Sequence, residues 1–283
     1  MTKIAIITDS TADVPLSIQQ ELNIQVIPLN VIFGDKIYKD GVDITSKVFF
    51  EMLPTSAVHP STSQPSPGEF VELYEKVLKD YDAIISVHIS SGLSGTHQSA
   101  NMAREMLPEA DITVIDTRTA SLGCGLAAIA GAEARNAGKS KEEILAVVKS
   151  VCTEQILLLT VETLEWLRRN GRIGKASALL GSLLNVHPIL KVEGGLVAPH
   201  AKVRGKMNKV LEAMVEAGQE FVPAGSAVRL GLVHGNALEE ARALAFMLSR
   251  VYNVKSVVYN EIGPAIGAHV GPGALGAIIA RAK

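Results

Sequence analysis

The chain has 283 residues and a formal net charge of −2 at pH 7, with 47% hydrophobic but only 4% aromatic residues and 24 glycines. This length is enough for one large domain or two ordinary domains with a substantial core. The near-neutral charge argues against a nucleic-acid-binding protein, and the scarcity of aromatic side chains argues against a base-stacking surface. An aliphatic, glycine-rich composition favours layered α/β structure over an all-β sandwich.

The cysteines and the apolar runs bear on the compartment. Cys124 and Cys152 are the only cysteines, and they lie in apolar surroundings without CxxC spacing, so we expect buried, reduced thiols. The first apolar run is too short for a signal peptide. Prolines and glycines interrupt the longest uncharged run, 263–280, which would make a poor membrane span. The sequence therefore predicts a soluble, cytoplasmic protein.

Strands and helices alternate over the first part of the sequence. Apolar runs predict the strands, and capping residues and prolines at the first turn predict where helices begin. The predicted strands are 3–8, 26–38 with a hairpin turn at Gly34-Asp35, 83–89, 111–116 and 155–161. The predicted helices begin near 13–15, 45, 66, 94, 123 and 140, and 54–65 is predicted to be a polar loop. This alternation favours a doubly wound parallel sheet.

The pattern changes near residue 160. The predicted elements are then short helices at 163–168 and 176–183, hairpin strands at 188–192 and 196–203, long helices at 207–221 and 238–251, and strands at 230–234 and 256–259. Gly194-Gly195 is a typical hairpin connection. We therefore predict an α/β fold of two domains. Residues 1–160 form an N-terminal, three-layer parallel-sheet domain, and residues 161–283 form a C-terminal domain with a mixed α/β sheet.

Small hydroxyl residues cluster where several predicted strands end. Turn and capping chemistry explains any one such cluster, but the carboxyl ends of parallel strands share one sheet edge, where ligands bind. The clusters are 8–11, 61–64, 90–96 and 116–117. The third one lies between a strand and a helix, which predicts an anion at the helix N-terminus. It has no lysine and no GxGxxG pattern, so it does not match the common nucleotide-binding loops.

The sequence leaves alternative interpretations open for its candidate acid–base residues and for its basic runs. Asp9 and Asp116 follow predicted strands and are candidates for an acid–base pair or for fixing loops through backbone N–H groups. No histidine pair has metal-ligand spacing, so we expect no metal site. His269 lies among glycines that would let a ligand approach. The basic runs 168–175 and 202–209 are candidates for a solvated face or for a patch that binds an acidic partner or a phosphate.

Taken together, these segments resemble the DegV family, the fatty-acid-binding proteins that serve as the B subunit of bacterial fatty acid kinase. The resemblance spans nearly the whole chain, and six segments in the same order make it specific. They are TDSTADVP from Thr8, TSQPS from Thr62, SSGLSGT from Ser90, TLE from Thr163 with GRI from Gly171, KVR from Lys202 and HVGPGAL from His269.

The resemblance implies a function in lipid metabolism. A long-chain fatty acid (C14–C18, palmitate among them) is expected in an apolar tunnel between the two domains, with its carboxylate bound by Thr62, Ser94, Gly95 and His269. A separate kinase subunit would phosphorylate the carboxylate and yield an acyl phosphate for phospholipid synthesis. No cofactor is implied, and this chain alone would not be catalytic.

The resemblance also implies contacts outside the tunnel, and one position departs from it. Arg204 and Arg172 are expected at the kinase-docking surface or near the head group, and transient contact with a membrane surface is expected as well. His187 stands where the family usually has lysine before a proline, which leaves the charge of this position open. Nucleic acid is not an expected partner.

An enzyme is the alternative hypothesis. Dihydroxyacetone kinases share a related two-domain architecture and bind substrate through a histidine. His269 could then be a nucleophile towards a small carbonyl or phosphoryl substrate, with Asp9 and Asp116 as its acid–base partners. A polar substrate requires converging charges, whereas a lipid carrier requires a long apolar cavity with one polar end.

Overall fold

A computed structural model describes residues 2–180 and 186–282. Its strands are β1 (Ile4–Asp9), β2 (Ile24–Ile27), β3 (Asn30–Phe33), β4 (Lys36–Lys39), β5 (Ser61–Ser63), β6 (Ala83–His88), β7 (Asp111–Asp116), β8 (Gln155–Thr160), β9 (Val186–Glu193), β10 (Leu196–Arg204), β11 (Ala227–His234), β12 (Asn253–Glu261) and β13 (Leu275–Arg281). Its α-helices are α1 (Leu16–Glu21), α2 (Ser46–Met52), α3 (Pro67–Val77), α4 (Thr96–Met106), α5 (Leu122–Asn136), α6 (Lys141–Thr153), α7 (Glu165–Arg169), α8 (Met207–Phe221), α9 (Leu238–Ser249) and α10 (Pro264–Val270).

The first sheet is parallel and has helices on both faces. Its order is β2-β1-β6-β7, and every residue of β1 and β6 is buried, as continuous apolar strands in parallel sheets are. On one face, Phe70 and Tyr74 of α3 pack with small residues of α4. Helix α5 covers the other face. The N-terminal part is therefore the predicted three-layer structure.

The second sheet is mixed. Its order is β10-β9-β8-β13-β11-β12, and among these neighbours only β11 and β12 run parallel. Helices α8 and α9 pack on one face, where Met214 and Leu244 join a second core cluster. Helix α5 contacts the opposite face through strands β8, β11 and β13.

Helix α5 therefore packs against both sheets, and its composition explains why it can do so. Twelve of its 15 residues are buried, and a helix that is apolar all round is stable only when it is enclosed. Its glycines permit the close packing. A Cβ at Gly125 would lie 2.5 Å from the Ala12 carbonyl oxygen, and one at Gly131 would lie 2.8 Å from the Val148 side chain. The space beside this central helix, at the carboxyl ends of β1 and β6, holds the cavity described below.

Two segments differ from the sequence prediction. The predicted loop 54–65 contains β5, which pairs with β3 in a three-stranded antiparallel sheet. The run 263–280, for which no element was predicted, contains α10 and the central strand β13. Its glycines mark the turn between these two elements, because Gly271 and Gly273 have φ values of +74° and +71°. Glycines and prolines predict turns locally, so the sequence prediction missed strands that are stabilised by pairing with distant parts of the chain.

Strand β8 pairs with β9 and β13, so the two sheets divide before residue 155, and the division into domains at residue 160 stays a prediction. The predicted helix 176–183 corresponds in part to a 3₁₀ helix, Gly174–Leu179. Positions 181–183 of the predicted helix lie outside the described residues. Across the described ranges, no helix is both long enough and apolar enough to cross a membrane.

Candidate functional site: an apolar cavity with one polar end

A cavity of about 90 Å³ lies between the two sheets. Most of its lining is aliphatic and comes from both halves of the chain: Leu29, Ile89, Leu93, Ala120, Leu157, Leu159, Leu167, Val192, Val197, Val233, Ile262, Ala265, Ile266 and Val270. Such a lining binds apolar chains through the hydrophobic effect and gives no hydrogen bonds to a polar substrate.

Seven polar residues line the cavity, and contacts among five of them or their direct neighbours define what we call the polar end: Thr62, Gln64, Ser94, Arg172 and His269. They come from β5, from the β6–α4 loop, from the segment after α7 and from α10. The sequence-derived candidates Thr62, Ser94, His269 and Arg172 are therefore brought together by the fold. Gly95 lies next to Ser94 at the start of α4.

Thr62 and His269 form the best-defined contact of the polar end. The Thr62 hydroxyl lies 2.8 Å from His269 Nε2. Burial, the nearby Arg172 charge and His59 lower the pKa of His269 to about 4, so the imidazole is neutral at pH 7. Its Nδ1 atom is buried and has no hydrogen-bond partner among the described residues. A buried polar atom without a partner is costly.

Ser94 lies at the N-terminus of an eleven-residue helix, α4. Its hydroxyl is 2.8 Å from the Thr96 hydroxyl and accepts the Thr96 N–H at 3.3 Å. A Cβ at Gly95 would lie 2.7 Å from the Gln64 amide nitrogen, so glycine allows Gln64 to pack over this loop. The helix N-terminus and the hydroxyl together favour an anion here. This placement agrees with the anion predicted from the loop sequence.

A helix-ending turn directs Arg172 into the cavity. Helix α7 ends in a Schellman motif, in which the Arg172 N–H donates to the Leu167 carbonyl and the Gly171 N–H donates to the Arg168 carbonyl. Gly171 has the positive φ (+69°) that this motif requires. Arg172 then donates from Nε to the Leu93 carbonyl at 3.1 Å. The residues of the basic run 168–175 therefore lie in different places. Arg172 lines the cavity, whereas Arg168 and Arg169 pair with Glu165 on the surface.

Arg204 and His187 are not brought to the polar end. Arg204 is exposed at the end of β10, and neither residue lines the cavity. The opposite end of the β9–β10 hairpin contacts the Ser94 loop, where Ser90 Oγ donates to the Gly195 carbonyl at 2.7 Å. Arg204 lies eight residues further along the strand from Leu196, or about 26 Å at extended spacing. A docking role for Arg204 stays a prediction, and the effect of His187 is open.

Comparison with known proteins supports this architecture. A family model described as "Uncharacterised protein, DegV family" matches residues 3–282. The chain is 39% identical over 273 residues to a DegV domain-containing protein of Deinococcus radiodurans, a match that covers 96% of each chain. The chain belongs to the DegV family.

Solved structures of DegV-family proteins resemble this chain over almost its full length. A protein from Thermus thermophilus, described by its fatty acid binding, has a TM-score of 0.92 and 35% identity, and the match covers 99% of this chain and 100% of that one. DegV of Bacillus subtilis, a fatty acid binding protein, has a TM-score of 0.88 and 33% identity, with 100% of both chains covered. The predicted family and the predicted α/β fold are confirmed, and DegV-family structures bind fatty acids.

The two candidate acid–base residues of this DegV-family chain fix loops. Asp9 accepts hydrogen bonds from the backbone N–H groups of Thr11 and Ile89 at 3.1 and 3.2 Å, and it contacts His88 Nδ1 at 2.8 Å. Asp116 accepts from the backbone and the hydroxyl of Ser91 and from a neighbouring backbone N–H. Neither of the histidine–carboxylate pairs found among the described residues includes His269. These contacts agree with the loop-fixing alternative for both carboxylates.

The sequence analysis missed several groups at the cavity. Gln64, Thr11 and Ser121 line it; Gln64 and Thr11 lie in segments that carried the family resemblance, but neither was named as a site residue, and Ser121 lies outside those segments. Ser121 also has a positive φ of +52° and donates a hydrogen bond to the buried carboxylate of Asp13, itself at φ +49°. Such strained, non-glycine residues tend to cluster at functional sites. No local sequence signal marks this pair, because the two residues are 108 positions apart.

Asp13 connects the two halves of the chain and should make stability depend on pH. Its Oδ1 accepts the Gly263 N–H at 2.9 Å. Burial, only partly offset by these hydrogen bonds, raises its pKa to about 8. A raised pKa in the folded state means that this contribution to stability is full below about pH 4 and is lost as the pH rises to about 8.

We expect Asp13→Asn to flatten this dependence, because asparagine mimics the protonated acid. One proton corresponds to a slope of about 1.4 kcal/mol per pH unit. Urea unfolding of the wild type at pH 6, 7 and 8 should show falling stability, and the variant should show a smaller fall. Asp80→Asn, at an exposed position, is the matched control. An unchanged slope in Asp13→Asn would show that Asp13 is not the responsible group.

Proposed function

We propose that this chain binds one long-chain fatty acid, of 14 to 18 carbons with palmitate as an example, and presents its carboxylate to a separate fatty acid kinase subunit. The observation that carries the proposal is the aliphatic cavity with hydroxyl, imidazole and guanidinium groups gathered at one end. The chain is then a carrier that is not catalytic alone. It works in the cytoplasm without a cofactor and supplies acyl phosphate for phospholipid synthesis.

The polar end suits a carboxylate better than a phosphate. Thr62 and Ser94 offer hydroxyl donors, the first turn of α4 offers a positive dipole, and Arg172 supplies one positive charge. A monoanion matches one cation, whereas a nucleotide phosphate usually requires a lysine in the loop. The neutral His269 adds a polar group without a second charge.

The cavity supplies the affinity. Burial of a methylene contributes about 0.8 kcal/mol, so a chain of about 14 methylenes gains about 11 kcal/mol before the costs of ordering. Those costs are several kcal/mol, and hydrogen bonds to the carboxylate at the polar end, at about 1.5–3 kcal/mol each, are needed to reach the roughly 8 kcal/mol of micromolar binding. Titration of the delipidated protein with palmitate tests this part of the proposal, and failure to bind palmitate at micromolar concentration would overturn it.

Presentation to a kinase requires a surface outside the cavity, and Arg204 is the candidate. Because Arg204 is exposed and does not line the cavity, Arg204→Ala should leave palmitate affinity unchanged. It should lower the rate of acyl-phosphate formation by the kinase subunit at least tenfold, as truncation of an interface arginine does. Arg250→Ala, exposed at the end of α9, is the control. If both variants support equal rates, the docking surface does not include Arg204.

A further inference from the structure

Asn170 links backbone segments that lead to the polar end. Its amide nitrogen lies 2.8 Å from the Ala268 carbonyl oxygen, 3.3 Å from that of Pro60, and 3.1 Å from His59 Nε2. Ala268 directly precedes His269, and Pro60 lies two residues before Thr62. One side chain therefore holds the two segments whose side chains meet in the Thr62–His269 contact.

The backbone of Asn170 extends the link to the third segment. Its carbonyl oxygen accepts from Arg172 Nη1 at 2.8 Å, while Arg172 Nε donates to the carbonyl of Leu93. Leu93 directly precedes Ser94. Asn170 and Arg172 together thus contact the chain next to each of the three groups that are candidates for binding the carboxylate.

The chemistry of this position favours an amide. Three groups that can accept a hydrogen bond surround the amide nitrogen, so the NH2 end of the amide faces them and its two hydrogens are shared among the Ala268 carbonyl, the Pro60 carbonyl and His59 Nε2. The Schellman motif sets the direction of the side chain, because Asn170 is the last residue before Gly171. The ring of His59 stacks on Trp166 at 4.6 Å between centroids, which holds the acceptor in place.

We propose that Asn170 is a positioning residue that sets the spacing of Thr62, Ser94 and His269 for a carboxylate. It does not touch the ligand, and it is absent from the cavity lining. The proposal rests on the proposed function, because it assigns a role in binding the head group. Since a polar site loosened by about 1 Å loses much of its effect, the consequence of removing Asn170 should depend on the head group of the ligand.

The test compares palmitate with 1-hexadecanol, which has a chain of the same length but no charge. Asn170→Leu keeps the volume and removes the amide, and we expect it to weaken palmitate binding about tenfold and hexadecanol binding much less. In the Thr62→Ala/Ser94→Ala background, the same change should have little further effect on palmitate. Asn136→Leu, at the exposed end of α5, should change neither affinity.

A second variant covers the case in which Asn170→Leu fails to fold. No atom lies within 4 Å of a Cβ built at Gly171, so Gly171→Ala strains only the backbone of the turn that directs Asn170 and Arg172. It should also lower the ratio of palmitate to hexadecanol affinity. Equal losses for both ligands, or no loss, in these variants would overturn the positioning role. A wild type that binds neither ligand would overturn the proposed function instead.

Discussion

Replacing Thr62 and Ser94 together by alanine is expected to weaken palmitate binding at least 100-fold, because two hydrogen bonds to a charged group are worth about 1.5–3 kcal/mol each. The aliphatic side chains that make up most of the lining offer no hydrogen bonds in place of the lost ones. Isothermal titration of the delipidated protein measures the effect directly. Each single variant should show a smaller loss than the pair.

The control for this double variant is a second double variant that also removes two hydroxyl groups. Thr153 and Ser249 are exposed near the ends of α6 and α9, where their hydroxyls bond nearby helix carbonyls. Thr153→Ala/Ser249→Ala should leave palmitate affinity unchanged. If the Thr62/Ser94 pair also leaves it unchanged, the carboxylate lies elsewhere in the cavity.

Replacing Arg172 by methionine is expected to weaken palmitate binding about 30-fold and hexadecanol binding only a few-fold. Methionine retains most of the length of the side chain but not its charge, and an uncompensated carboxylate in a buried site is strongly disfavoured. The small effect on the alcohol reflects the lost hydrogen bonds to the carbonyls of Leu93 and Asn170. Binding assays with both ligands separate the two contributions.

The same variant should change the titration of His269. Burial is the main cause of its lowered pKa, and the charge of Arg172 is the second. In Arg172→Met the pKa of His269 should therefore rise above about 4 while it stays below its ordinary value, as NMR titration of the imidazole would show. Arg168→Met, at an exposed arginine paired with Glu165, should leave it unchanged. A pKa of His269 that does not rise would place the Arg172 charge away from the imidazole.

The elements that the sequence predicted well are those with local signals. Helices α3 and α6 begin with capping boxes at Ser66 and Ser140, and the structure has both. Helix α8 spans the predicted range 207–221, since its apolar residues recur at the helical period. By contrast, β13 was missed because Gly276 and the nearby prolines look like a loop, although its neighbours β8 and β11 pair with it on both sides.

The residues of the candidate site also differ in how far the sequence alone could predict them. The loop around Ser94 was recognisable as a candidate anion-binding feature from its place between a strand and a helix. Thr62 and Arg172 received their roles from the family resemblance, His269 was also singled out by its glycine-rich surroundings, and no spacing rule links the three. Asn170 had no signal at all, because its partners Ala268 and Pro60 are 98 and 110 residues away in sequence. Contacts of this kind are set by the packed fold.

Mass spectrometry of the purified protein tests the central claim most directly, first under native conditions and then after denaturation with extraction of the released small molecules. The proposed function predicts one fatty acid of 14 to 18 carbons per chain in the wild type, and loss of most of it in Thr62→Ala/Ser94→Ala. A protein that is purified without lipid, and that takes up no added palmitate, would contradict the carrier function.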